Sequence, residues 1–149
     1  MENKYFTPDV LDIYVGYELE WKSKIRHQDW EKTICDVDLI SIIYDQYEHA
    51  DDEEPFNEQF RVPYLTKEQI EAEGWELIQI YPKGSCVFQK GTIKDGYELT
   101  YDFTEHRITF AKLYFYYVDD KYTRTELTWR SLKCKDINTF RKICKLLEI

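Results

Sequence analysis

Three groups of residues in this sequence are of a type and spacing that could do chemistry. Glu105 and His106 stand side by side in "FTEHRITF", as an acid and a base would. Glu18 and Glu20 alternate in "YELEW", so both carboxylates leave the same face of a strand. Asp51, Asp52, Glu53 and Glu54 run consecutively, as cation ligands do in some loops. A catalytic dyad needs a held geometry and a water-poor setting. Glu105 and His106 sit between two alternating apolar runs, which makes them the exposed tip of a hairpin, with no third group in sequence to orient the ring. Glu18 and Glu20 are explained as polar residues on a wet strand face. The "DDEE" run lacks the alternation and the sharp glycine turn of a calcium loop, so it reads as part of an exposed acidic loop around residues 49–58. His27 and His49 lie in or beside charged loops and carry no partner pattern.

Other signatures are missing from the sequence. It has no G-x-S-x-G, P-loop, dinucleotide-binding glycine pattern, H-E-x-x-H or EF-hand. "YPKGSC" places a lysine and a glycine in a turn, but a phosphate cradle needs more glycines and a following helix. The four cysteines, Cys35, Cys86, Cys134 and Cys144, include no C-x-x-C pair and no paired histidines. They are expected to be free, buried thiols in a reducing compartment, without metal. No cofactor and no catalytic residue is expected, and the chain leans away from being an enzyme.

The elements that position these residues follow from periodicity. "DIYVGYELEWK" alternates, with Ile13, Val15, Tyr17, Leu19 and Trp21 on one face, and predicts a half-buried strand. A weaker strand follows near Trp30–Ile34. Leu39, Ile40, Ile43, Tyr44 and Tyr47 then form a helical stripe, with Asp36 or Asp38 as its N-cap. Thr66 and Gln69 form a capping box for a short helix that Gly74 ends. "WELIQIY" and "SCVFQKG" are short strands. "DINTFRKICKLLEI" is a closing amphipathic helix with Asp136 as N-cap and with Ile137, Phe140, Ile143, Cys144 and Leu147 on its apolar side.

Between Gly96 and Arg130, a hairpin must keep Tyr97, Leu99, Tyr101 and Phe103 on the same side as Ile108, Phe110, Tyr114 and Tyr116. Pairing Asp102 with Arg107, Tyr101 with Ile108, Thr100 with Thr109 and Leu99 with Phe110 does so, with matched neighbours at each position. The loop is then Phe103–His106 as four residues or Thr104–Glu105 as two. A second turn falls at Asp119–Asp120. The strand after His106 is apolar on both faces and is expected to be central.

These elements predict one α+β domain spanning 1–149. It is a bent antiparallel sheet of about six or seven strands, with two or three short helices packed on one face and a C-terminal amphipathic helix.

Charge separates the possible partners. The net charge is −9, but Asp29–Phe60 holds eleven acids against Lys32, while Lys121–Ile149 has eight bases against three acids. The acidic total disfavours direct nucleic-acid binding. No apolar run approaches the ~20 residues of a membrane span. The opening "MENKYFTPDV" has neither the basic flank nor the apolar stretch of a secretory leader, so the expected location is the cytoplasm.

"YFTPDVLDIYVGYELE", "RVPYLTKEQIEAEGWE" and a later "KG" strand-turn segment resemble a group of short uncharacterised proteins encoded by tailed phages and prophages of gut Bacteroidota, the crAss-like phages among them. A Y-x-T-P-x-I-E-x-(x)-x-V-G-(F/Y)-E-x-E opening recurs in that group. Phe6-Thr7-Pro8, Val15-Gly16-Tyr17-Glu18 and Glu20 match it, whereas Val10 and Leu11 stand near its usual Ile-Glu. The acidic 45–58 segment is particular to this chain. The resemblance implies a mobile-element origin and expression in a bacterial cytoplasm, and it carries over no site residue.

The expected function is therefore a non-enzymatic binding protein acting on a host or phage protein, in counter-defence, host takeover or virion assembly. The expected partner is basic or nucleic-acid-binding, or is a second copy of the chain. The binding residues expected are Asp51, Asp52, Glu53 and Glu54, which would steer the partner, and the aromatic patch Tyr114, Phe115, Tyr116 and Tyr117. The alternative is a small enzyme, such as a hydrolase, using carboxylates on the concave sheet face.

Overall fold

The computed structural model describes residues 4–22, 29–51, 55–92, 95–118, 121–128 and 131–149, with backbone alone at Asn57, 114–118 and 121–128. The chain divides into two compact units, Met1–Tyr64 and Leu65–Ile149, each with its own antiparallel sheet.

The first unit contains β1 (Tyr5–Phe6), β2 (Glu18–Trp21), β3 (Glu31–Ile34), α1 (Val37–Glu48) and β4 (Phe60–Pro63), with sheet order β1-β4-β2-β3. Its core is an apolar cluster that includes Val10, Ile13, Tyr17, Leu19, Ile43, Phe60 and Val62. The alternation from Ile13 to Trp21 overstates the strand, which begins only at Glu18. Gly16 has φ 95°, a left-handed conformation that interrupts extended chain at little cost for glycine. The turn is held by Gly16 N–H donating to the Cys35 carbonyl and Cys35 N–H donating to the Tyr17 carbonyl, both at 2.8 Å. Ile13, Tyr17 and Leu19 still reach the core, while Val15 is 61% exposed.

Asp36 is the cap of α1, its Oδ1 accepting from Leu39 N at 2.8 Å. Leu39 and Ile43 are buried and Ile40 is half-buried, but Tyr44 and Tyr47 are exposed. The inward stripe is thus narrower than the five residues expected. At about 100° per residue, Tyr44 lies away from Ile43 toward the outer side. Tyr47 rests edge-on against Phe56, with ring centroids 5.5 Å apart. Residues 49–58 are likewise not uniformly exposed. Phe56–Glu58 forms a 3₁₀ turn in which Phe56 is buried against Phe60, centroids 4.9 Å apart.

The second unit contains α2 (Lys67–Ala72), β5 (Glu76–Ile80), β6 (Ser85–Gly91), β7 (Asp95–Asp102), β8 (Arg107–Val118), β9 (Lys121–Thr128), β10 (Leu132–Lys133) and α3 (Ile137–Leu147). Its six-stranded sheet runs β10-β8-β7-β6-β5, and β9 also pairs with β8. Both halves of the capping box at α2 form: Thr66 Oγ1 accepts from Gln69 N at 3.2 Å, and Gln69 Oε1 accepts from Thr66 N at 3.0 Å. Ile70 of α2 and Ile137, Phe140 and Ile143 of α3 pack with Phe88, Leu99, Ile108 and Phe110 of the sheet in one core. Tyr101 is fully buried there, its hydroxyl donating to the Cys134 carbonyl at 2.7 Å.

The β7–β8 register is the one expected, with Asp102 opposite Arg107, Thr100 opposite Thr109, Tyr101 opposite Ile108 and Leu99 opposite Phe110. The loop is the four-residue form. Asp102 Oδ1 accepts from Thr104 N and Glu105 N at 2.9 and 3.0 Å, closing the turn. β8 is central, flanked by β7 on one side and by β10 and β9 on the other. Ile108 and Phe110 are buried on one face, Ala111 and Leu113 on the opposite one. The turn at Asp119–Asp120 lies outside the described residues, although Val118 and Lys121 pair as it requires.

The α+β class, the antiparallel pairing, the helices on one face of the larger sheet and the closing helix are all present. The strands, however, fall into two sheets instead of one, because the apolar residues before and after Tyr64 gather in separate clusters.

Asp136 caps α3 through Oδ1, which accepts from Thr139 N at 2.9 Å, and Oδ2, which accepts from Thr139 Oγ1 at 3.2 Å. Asp136→Ala is expected to cost about 1–2 kcal/mol by urea denaturation. A loss below about 0.3 kcal/mol would mean that the cap contributes nothing to stability.

Candidate functional site

Of the residues singled out for chemistry, Glu18 and Glu20 are engaged by neighbouring strands. Lys32 Nζ lies 3.2 Å from Glu18 Oε2, and Arg61 Nε donates to Glu20 Oε2 at 2.7 Å. The Arg61 guanidinium is in turn stacked between two rings, 3.7 Å from the Tyr5 centroid and 4.1 Å from the Trp30 centroid. Guanidinium stacks well on aromatic faces, and this clamp ties β1, β2 and β4 to the segment before β3. Lys32 and Arg61 thus account for Glu18 and Glu20, respectively, as cross-strand ion pairs within the first unit.

Glu105 is exposed at the hairpin tip, as expected, but His106 is half-buried and adopts φ 51°. Its carbonyl accepts from Cys134 N at 2.8 Å, joining the turn to the segment before α3. His106 therefore serves the turn through its backbone. His27 lies outside the described residues. His49 ends α1, where Nδ1 sits 2.8 Å from the Asp45 carbonyl. That bond, helped by the Asp45 carboxylate, raises the imidazole above its ordinary pKa.

All four cysteines are buried. Burial pushes the Cys35 and Cys144 thiols up to about 11 and the Cys134 thiol higher still. A nucleophilic cysteine needs the opposite shift.

Asp51 is exposed just beyond α1, whereas Asp52, Glu53 and Glu54 lie outside the described residues. The backbones of Tyr114, Phe115, Tyr116 and Tyr117 run in β8 opposite Thr125, Arg124, Thr123 and Tyr122. Their side chains lie outside the described residues. Of the binding residues expected, the described residues place only the Asp51 side chain.

The first unit also presents the outer face of α1. Val37, Tyr44, Asp45 and Glu48 recur at helical spacing on the side away from Leu39 and Ile43, with Asp38 beside them; all are exposed. Val37 is 70% exposed. Apolar side chains thus stand among carboxylates on a helix seated on the core by two buried residues. The sequence carried the signal for this face in the clustering of acids from Asp36 to Asp51, but the expected apolar stripe had turned both tyrosines inward.

Comparison with protein-family models, curated proteins and solved structures finds no match to this chain. Among the described residues no helix is long and apolar enough to cross a membrane.

Proposed function

We propose that this protein is a non-enzymatic binding protein that docks a basic protein partner on the acidic outer face of α1. The partner belongs to the host cell or to a phage, and its basic surface is of the kind that otherwise contacts nucleic acid. The observation that carries this reading is the exposure of Val37 and Tyr44 among Asp38, Asp45 and Glu48. Carboxylates steer and select a cationic surface, and the apolar side chains supply area to bury. Asp51 extends the same charge past the helix, in line with a steering role for the 51–54 run. The enzyme reading loses support because Glu18 and Glu20 are taken up in ion pairs.

The test is affinity capture from a bacterial lysate at low salt, with the wild type and an Asp38→Asn/Asp45→Asn/Glu48→Gln variant side by side. The wild type is expected to retain a basic protein at least about tenfold more strongly, the free-energy equivalent of about 1.4 kcal/mol. Both chains should give the same circular dichroism, because all three positions are exposed. Equal capture by the two proteins would contradict the proposal.

A further inference from the structure

The second unit holds a cleft of about 200 Å³ between the end of α2, β6 and the last turns of α3. Lys90, Arg141 and Lys145 line it, against the single carboxylate side chain of Glu73. Trp75 and Phe140 give it apolar wall. Three cations around one opening are a local reversal of sign in a chain of net charge −9.

The cations are held in different ways. Arg141 Nε donates to Glu73 Oε1 at 2.6 Å, so the lining carboxylate is already matched to a guanidinium. Lys90 Nζ donates to the Glu73 backbone carbonyl at 3.2 Å and stands 5.7 Å from the Trp75 ring centroid. A neutral carbonyl and an aromatic face orient this ammonium without cancelling its charge. Trp75 is itself buried, and its indole N–H meets no acceptor among the described residues.

We infer that this cleft binds a small organic anion, with a carboxylate head on Lys90 and Lys145 and an apolar body against Trp75. Its size sets the class, since clefts for drug-sized ligands run to roughly 300–1,000 Å³. A carboxylate accepting from two ammonium groups beside an apolar wall forms charge-assisted bonds. The site is independent of the acidic face of α1, and either can fail without the other.

The test is an NMR titration of the full chain with benzoate and, separately, inorganic phosphate at constant ionic strength, following the Trp75 indole N–H. Benzoate is expected to give a saturable shift, with phosphate at least about tenfold weaker. Lys90→Gln/Lys145→Gln should weaken benzoate at least about tenfold, equivalent to about 1.4 kcal/mol. Should the double variant lose its dispersed spectrum, Lys145→Gln alone, at an exposed position, is expected to weaken benzoate about threefold, or about 0.65 kcal/mol. A shift that does not saturate, or one unchanged in the variant that stays folded, would overturn the site. Phosphate binding as tightly as benzoate would overturn the assignment to an organic anion.

Discussion

Phe110→Ala is expected to lower stability by about 3–5 kcal/mol, measured by urea or thermal denaturation. Phe110 is 1% exposed on the central strand β8, opposite Leu99, with its ring centroid 5.8 Å from that of Trp75. It shares its core with Ile70 of α2 and with Ile137 and Phe140 of α3, so the cavity would open where the helices meet the sheet. Surrounding strands paired on both sides of β8 limit how far that cavity can collapse. Domains of this size have about 5–15 kcal/mol to lose, so the variant should stand near the edge of folding. Phe110→Leu, which keeps most of the volume, should cost about half as much or less. A loss below about 1 kcal/mol for Phe110→Ala would show that the α2–α3 face is not the core of this unit.

Gly96→Ala carries the second large effect, of about 2–4 kcal/mol, and its cause is close approach of the backbone. A Cβ at this position would lie 2.5 Å from the Thr92 carbonyl oxygen and 3.0 Å from that of Lys90. Neither contact can be relieved by rotating a side chain. Gly96 pairs with Gly91 across β6 and with Leu113 across β8, so the strain would spread into two ladders. The link between β6 and β7 is closed by Thr92 N–H donating to the Asp95 carbonyl at 3.2 Å and by Asp95 N–H donating to Thr92 Oγ1 at 3.1 Å. Hydrogen exchange should show protection lost first at these strand ends. Wild-type stability in Gly96→Ala would mean that the chain crosses there with more room than the structure has.

Local rules made much of this fold legible in the sequence. Asp36, Thr66 and Asp136 each cap the helix that their spacing indicates, because a cap needs only a side-chain oxygen and an N–H two or three residues on. The β7–β8 register followed from parity, since a slip by one residue would turn Phe110 to the other face, and from the matched pairs Asp102–Arg107, Thr100–Thr109, Tyr101–Ile108 and Leu99–Phe110. The failures came where two local rules competed. Ile13 to Trp21 satisfies strand alternation, yet Gly16 turns the chain within it. Tyr44 and Tyr47 satisfy a helical stripe, yet their hydroxyls suit water and the small sheet beneath α1 needs only Leu39 and Ile43.

The long-range constellations left less trace. Arg61 meets Tyr5, Glu20 and Trp30 only after four segments assemble, and no spacing in sequence announces that stack. The cleft near Trp75 likewise draws Lys90 from β6 and Arg141 and Lys145 from α3. For the acidic face of α1 the reverse holds, because charge density along the chain marks the acidic segment and only the fold says which of its side chains face outward.

The most direct test of the docking proposal is the rate of association between this protein and its captured partner, measured by stopped-flow fluorescence across a salt series. Exposed charges act over about 8 Å at physiological salt and farther at low salt. The wild type should associate at least about tenfold faster than the Asp38→Asn/Asp45→Asn/Glu48→Gln variant at low salt, with the two rates converging as salt rises. Equal rates at low salt would contradict the acidic face of α1 as the docking surface.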